Sequence, residues 1–376
     1  MNKPDRQGGM KLAQKEWLEV RVDELKNVVK KVFISLNVPE EHAEITADVL
    51  IEADKRGIDS HGVGRLKRYV DGIKTGMMIP GVEGIIVKET ANTLTIDGQG
   101  GLGQVVAYKA MKKVIEKAEK NNVCFAAIRN SNHYGIAGYY AMMALERDMI
   151  GISLTNSTPL MVPTFGRNVF LGTNPISIAF PIEKGWPVVL DMATSTVPQG
   201  KLEVYRRMGK KIPLCWATDE FGNPCDDPGR VLDNMAARRG GGLLPLGGAD
   251  EETGGHKGYG LSFVVDVLSG VLSGGIFGIH LYEEKGKPSG VGHFLGAMRI
   301  DAFIEPDVFK RNLSRFVEEI KAAEKRENCT RIYVPGEKEY EKAAEQKEKV
   351  KLYYKVVEEI NAIASELGVD ATLNPL

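Results

Sequence analysis

Residues 56–66, RGIDSHGVGRL, gather Asp59, Ser60, His61 and Arg65 among Gly57, Gly62 and Gly64. An imidazole titrates near neutral pH, so His61 can take up and return a proton. A guanidinium grips a carboxylate through two parallel hydrogen bonds, so Arg65 can hold a small acid. The glycines let the backbone turn tightly around these groups. The alternative is a polar turn after a helix, with Asp59 or Ser60 capping the next one.

His133 stands in SNHYGIAGYYA, residues 131–141, just before a helical pattern. A helix N-terminus suits an anion there, or Ser131 or Asn132 simply caps the helix. Thr173, Asn174 and Pro175 make a tight turn between apolar runs. Asp191, Thr194 and Ser195 end a buried strand, where ligands gather in open sheets, although both segments also read as plain turns. Lys257, beside His256 in GGHKGYG, opens a helix and can meet a phosphate or carboxylate. Glu337, after Pro335 and Gly336, can accept from ribose hydroxyls or sit in a surface turn.

One spacing points elsewhere. DGQGGLGQ, residues 97–104, carries the Gly98-x-Gly100-x-x-Gly103 pattern of a dinucleotide cradle. The strand before it, TLTID, is short and polar, unlike a buried first parallel strand. The next strand, VCFAAI, ends at Arg129 and Asn130 instead of an acid. The bland reading is a glycine turn packing a helix on a sheet. No CxxC, HxxxH or HExxH spacing marks a metal site, and no GxSxG elbow marks a serine hydrolase.

These groups need elements to hold them. Helical spacing runs from Asp23 to Asn37, again after Pro39 through Ala43, Ala47, Leu50, Ile51 and Asp54, and from Arg65 to Gly76. GIIVKET and NTLTID alternate like strands, and Gln104 to Asn121 is an amphipathic helix. VCFAAI, MIGISLTNS, PISIAFP, PVVLDMA and FLGAMRIDAF read as strands. Residues 198–257 read as irregular surface, and Tyr259 to Ser273 as a buried helix. Phe309–Arg326 and Leu352–Leu367 read as helices, the first with Leu313, Phe316, Val317 and Ile320 inward. The charged stretch 338–351 reads as a solvated helix face or linker, and residues 1–13 as a disordered lead. Helices at both ends and strands between predict an α/β (α+β) chain. Its helical domain is expected over 14–80 with 339–376, and its mixed-sheet domain over 81–338.

The 376 residues, 43% apolar and 26% charged, can bury a large core, and the net charge of −1 argues against nucleic acid or a membrane surface as partner. The four scattered cysteines read as buried free thiols in a reducing compartment. The run 260–279 is interrupted by Asp266 and diluted by glycine and serine, so no membrane span is expected. With no secretory signal visible, the expected location is cytoplasmic.

Taken in order, RGIDSHGVGRL, NSNHYGIAGYYA, LGTNPISIAFP, LDMATS, GKLE and GGHKGYGLS make the chain resemble the type-2 malate/L-lactate dehydrogenases across nearly its whole length. That family includes sulfolactate and ureidoglycolate dehydrogenases and diketogulonate reductase. The resemblance implies a non-Rossmann mixed-sheet cofactor domain beside a helical one, as in sulfolactate dehydrogenase, and a homodimer. It implies an NAD- or NADP-dependent oxidoreductase acting on a small 2-hydroxy or 2-keto acid of malate or lactate type. Reduction of a cyclic imine carboxylate or of sulfopyruvate is the alternative, and a non-catalytic binding protein of the same fold a third. The glycine turn becomes structural.

By the same resemblance His61 matches a proton donor of some members, and His133 the acid/base of others. Ser60 and Arg65 match contacts to the substrate acid, with Tyr69 a further one. Thr173, Asn174, Pro175 and Asp191 through Ala193, Thr194 and Ser195 match cofactor-contacting segments. Lys257 matches a cofactor or substrate contact, and Gly336 and Glu337 a late cofactor loop. Two departures stand out: the long glycine-rich stretch 238–255, and Thr158, where some relatives carry charge.

Overall fold

Hydrophobic periodicity becomes burial along the first helices. Val22–Ser35 hides Leu25, Val28, Val29, Val32 and Phe33. Glu40–Lys55 starts directly after Pro39, which suits a helix entrance, and hides Ala43, Ala47, Leu50, Ile51 and Asp54. The computed structural model describes residues 16–281 and 287–376. The polar lead 1–13 lies outside the described residues.

The chain divides into two units, one running to Gly81 and taken up again over Lys338–Leu376, the other covering Val82–Glu337. In the first unit, the helix Leu66–Lys74 follows a single 3-10 turn, Val63–Arg65. The stretch 338–351 holds all but the first residue of the helix Glu337–Glu345 and the start of a strand, Lys349–Tyr353. That strand pairs antiparallel with Trp17–Arg21. Neither strand is legible in the sequence, because each turns only one or two apolar residues inward among charged ones. The closing helix, Tyr354–Glu366, buries Val357, Ile360, Ile363 and Ala364.

The second unit is built on seven strands: β1 (Ile85–Glu89), β2 (Thr93–Asp97), β3 (Val123–Ser131), β4 (Met149–Thr155), β5 (Ile176–Phe180), β6 (Val188–Met192) and β7 (Val291–Arg299). Their spatial order is β1-β2-β3-β7-β4-β5-β6. β2 and β3 run parallel, joined by the crossover helix Gly103–Asn121 that parallel neighbours require. The other neighbouring pairs run antiparallel. A doubly wound dinucleotide fold has a mostly parallel sheet, so this mixed sheet is of another kind, as expected. Val106, Ala110, Met111 and Val114 of the crossover helix pack with Leu94, Ala126, Ile128 and Leu295 in the main core.

Four expectations need correction. Residues 198–257 are not irregular surface. They form the helices Gln199–Arg207 and Pro228–Ala236 and a short strand pair, around a second core of Met161, Leu171, Leu202, Val231 and Leu243. Frequent glycine and proline hid this layer, since each of its elements is short. The run beginning at Tyr259 is only half-buried: in the helix Gly255–Asp266, Phe263 and Val264 are each 53% exposed. In Pro306–Ala322 the buried residue is Ser314, and Phe316 faces out. Of the thiols, Cys124 and Cys225 are buried but Cys215 and Cys329 are exposed. No described helix is long and apolar enough to cross a membrane.

Candidate active site

The candidate residues fall into two groups, one in each unit. In the first unit the loop leaves the helix Glu40–Lys55 and re-enters helix at Val63. Ser60 Oγ lies 2.9 Å from His61 Nδ1, and Arg65 Nε donates to the Ser60 carbonyl at 2.7 Å. The three predicted groups are thus brought together. The remaining guanidinium nitrogens of Arg65 have no partner among the described residues. His61 is half-buried, and burial, then the charges of Arg65 and Arg68, depress its pKa to about 4. Its imidazole is therefore neutral at pH 7. Tyr69 is placed differently. It is fully buried, its ring edge-on to Phe33 with centroids 6.4 Å apart.

Beneath this loop sits Asp54, which the sequence offered only as one member of a helix face. Val63 N–H donates to its Oδ2 at 2.8 Å. Gly62 lies so close that a Cβ there would fall 1.8 Å from Asp54 Oδ1. Only glycine fits. Burial holds the Asp54 carboxyl well above the ordinary carboxylate range.

In the second unit His133 is half-buried at the end of β3, and its Nδ1 accepts weakly from Gly135 N–H at 3.4 Å. The preceding Asn132 is buried and donates to the carbonyls of Gly100 and Gly101, both at 2.9 Å. A Cβ on Gly103 would meet the carbonyl oxygens of Asn132 at 2.1 Å and His133 at 2.5 Å. The space of a dinucleotide cradle is therefore filled by the chain's own backbone, and the glycine turn is structural.

His293 in β7 is a residue that sequence reasoning passed over. Its Nδ1 lies 2.8 Å from Thr155 Oγ1 and its Nε2 2.9 Å from Ser131 Oγ. Thr155 has one hydroxyl proton and directs it at main-chain carbonyls, so it accepts from Nδ1–H. Nε2 then accepts from Ser131, and the ring is a neutral tautomer. Burial alone pushes its pKa down to about 3. Tyr134 stacks on it with centroids 4.4 Å apart. The only sequence signal was a histidine just ahead of the FLGAMRIDAF strand run. Its partners come from β3 and β4, and pairing register alone brings them together.

The predicted cofactor segments converge in part. Asn174 is buried, with φ +29°, accepting from Ser157 N–H at 3.0 Å and donating to the Ser262 carbonyl at 3.1 Å. Thr194 Oγ1 donates to the carbonyls of Thr173 and Asn174. Pro175 follows in the same turn, immediately before β5. Ser195 donates to the Val197 carbonyl, and Ala193 is half-buried beside it. Asp191 accepts from Gly138 N–H at 2.7 Å, tying β6 to the helix Ala137–Met143. Lys257 and His256 are exposed on the first turn of Gly255–Asp266. That turn closes against the glycine-rich stretch, where Gly258 meets the backbone of Leu246.

Gly336, at φ +84°, presses on the backbone of Val189, whose N–H donates to the Pro335 carbonyl at 3.1 Å. Glu337 is 4% exposed and pairs with Lys321 and Arg331, while Val334 N–H also donates to it. Burial opposes its charge, but the two cations and the amide outweigh it and hold the carboxyl below its usual range. In this arrangement Glu337 anchors the loop through its own chain's cations.

A family model described as malate/L-lactate dehydrogenase matches residues 20–361. The malate dehydrogenase of Pyrococcus abyssi is 49% identical, the match covering 94% of this chain and 96% of that one. A malate/(S)-sulfolactate dehydrogenase of Methanothermus fervidus is 41% identical, over 93% of this chain and 98% of its own. The crystal structure of malate dehydrogenase from Entamoeba histolytica is similar with a TM-score of 0.90 and 38% identity, over 94% of this chain and 99% of that one. Mixed sheet and full-length similarity agree: the chain belongs to the malate/L-lactate dehydrogenase family, enzymes that use a nicotinamide cofactor on the CH–OH of a 2-hydroxy acid.

Proposed function

We propose that this chain interconverts malate and oxaloacetate, with His61 moving the proton and Arg65 holding the C1 carboxylate. The observation that carries this reading is the Ser60–His61–Arg65 group, with a neutral imidazole beside a guanidinium that keeps two nitrogens uncommitted. In the oxidative direction His61 accepts the proton of the C2 hydroxyl. In that step Nδ1 carries its hydrogen toward Ser60 Oγ, 2.9 Å away, and Nε2 takes the proton. Burial is the main cause of the low His61 pKa, and a carboxylate on Arg65 offsets the charge that adds to it, which favours the proton on the ring. In reduction the same ring returns it to the forming alkoxide. His133 is the competing acid/base.

The residues of the second unit fit a nicotinamide dinucleotide by their chemistry. Lys257 and His256, exposed at the start of a twelve-residue helix, suit its phosphates. The turn Thr173–Asn174–Pro175 and the segment Asp191, Ala193, Thr194, Ser195 suit its remaining contacts, with Gly336 and Glu337 holding the late loop. When bound, the cofactor supplies or removes the hydride at C2. NAD and NADP both remain within this reading. The chain is proposed to work as a cytoplasmic homodimer, a second copy covering the apolar residues Leu261, Phe263, Val264 and Leu272.

A second substrate is favoured by one comparison: the Methanothermus fervidus relative carries both malate and (S)-sulfolactate in its name. The deciding measurement follows oxidation of NADH and of NADPH with oxaloacetate, pyruvate and sulfopyruvate. Oxaloacetate is expected to give the highest kcat/KM. A preference for sulfopyruvate or pyruvate would replace the substrate, and no turnover of any keto acid would end the reading.

A further inference from the structure

The reaction needs His61 and Arg65 held still on a loop, and little in the loop itself does this. Within it, His61 N–H donates to the Ile58 carbonyl and Arg65 N–H to the Gly62 carbonyl, both at 2.9 Å. These are short-range turns that could shift as a body. The side-chain tie from the preceding helix comes from Asp54. Its carboxyl grips Val63 N–H at 2.8 Å and lies against Gly62, midway between His61 and Arg65 in sequence.

Asp54 is itself anchored. Its carbonyl accepts from Gly57 N–H at 2.9 Å and from Gln346 Nε2 at 3.0 Å. The side chain is buried, 3% exposed, with no cation paired to it among the described residues. A buried acid without a counter-charge costs stability, and an apolar residue of similar volume would avoid that cost. Its presence therefore asks for a reason other than folding.

Resting on the proposed role of His61 and Arg65, we infer that Asp54 is a positioning residue: its carboxyl, bonded to Val63 N–H and seated on Gly62, sets where the imidazole and guanidinium stand. The contact is a lock with two parts. The carboxyl supplies the acceptor, and the missing Cβ of Gly62 supplies the room. Burial favours the uncharged carboxyl, and an asparagine oxygen offers the same acceptor.

The test is a set of full-length variants assayed with oxaloacetate and reduced nicotinamide, alongside thermal melting. Asp54→Leu keeps the volume and removes the acceptor. It is expected to lower kcat/KM about 10²-fold, the cost of a misplacement near one ångström, while melting at or above the native temperature. Asp54→Asn should recover most of that loss. Gly62→Ala should lower kcat/KM on the native background and add nothing on an Asp54→Ala background, where the colliding oxygens are gone. Binding of reduced nicotinamide, read by fluorescence, should stay unchanged throughout. Full activity of Asp54→Leu, or losses from Gly62→Ala and Asp54→Ala that add independently, would overturn the inference while an inactive His61→Ala keeps the function. Full activity of His61→Ala would instead remove the role of His61 and the inference together, while the turnover itself would stand.

Discussion

At residues 57–64 the space of a missing Cβ is taken by a side-chain carboxyl, whereas at residues 97–104 it is taken by main-chain carbonyls. Asp54 fills the space over Gly62, and the carbonyls of Asn132 and His133 fill the space over Gly103. Both turns are glycine-rich and both lead into a helix. The first leaves its polar side chains half-buried and able to meet a ligand. The second seals a helix onto a strand and keeps no room for one. A glycine motif therefore means little until the atom occupying its vacant side is known.

The largest expected effect separates the two turns by chemistry. His61→Ala should cut kcat by roughly 10²–10⁴-fold, the usual worth of a general acid–base group, with His133→Ala costing less. Steady-state turnover of oxaloacetate measures both, and the reverse ranking would move the proton to His133. Gly103→Ala should act on folding and leave chemistry alone. Forcing a methyl against the Asn132 carbonyl should destabilise by about 1–3 kcal/mol, visible as a lower Tm. Its kcat should be near native in the fraction that folds.

Arg65→Lys probes the clamp. Losing the two-pronged grip should raise the KM for oxaloacetate about tenfold, the equivalent of ~1.4 kcal/mol. An unchanged KM would take the carboxylate away from Arg65. The pH profile sharpens the same point. With His61 near 4 in the free enzyme, kcat/KM for malate oxidation should hold level from neutrality toward that value. An acid limb near pH 6.5 would indicate a solvated histidine.

His293 offers an effect that is purely structural and vanishes at neutral pH. Its folded pKa of about 3 lies below the ordinary 6.5, so below pH 6.5 the unfolded chain binds the extra proton. Stability should then fall as pH drops, by up to ~1.4 kcal/mol per pH unit from this one ring. Denaturant midpoints of native and His293→Gln protein across that range would show the difference in slope.

Much of this chain was legible from its residues. The helices Val22–Ser35, Glu40–Lys55 and Gly103–Asn121 and most of the central strands follow from periodicity, because one buried face per element leaves a clear repeat. The grouping of Ser60, His61 and Arg65 was legible because all three lie on one short loop. The antiparallel order of the sheet was not, since strand pairing is set by distant segments. The small core around Leu202 and Val231 escaped notice because each of its elements is short.

What the sequence determined alone was the kind of chemistry: a neutral-range acid/base beside a carboxylate-binding cation, in a chain with no metal or serine-nucleophile spacing. What tertiary structure decided was which groups are supported and which are merely near. Asp54 became part of the loop because folding laid its carboxyl on Gly62. His293 found Ser131 and Thr155 across two strand registers. Glu337 gained Lys321 and Arg331 as partners. Side-chain type travels with the residue, but burial, hydrogen-bond partners and the space over a glycine exist only once remote segments pack together.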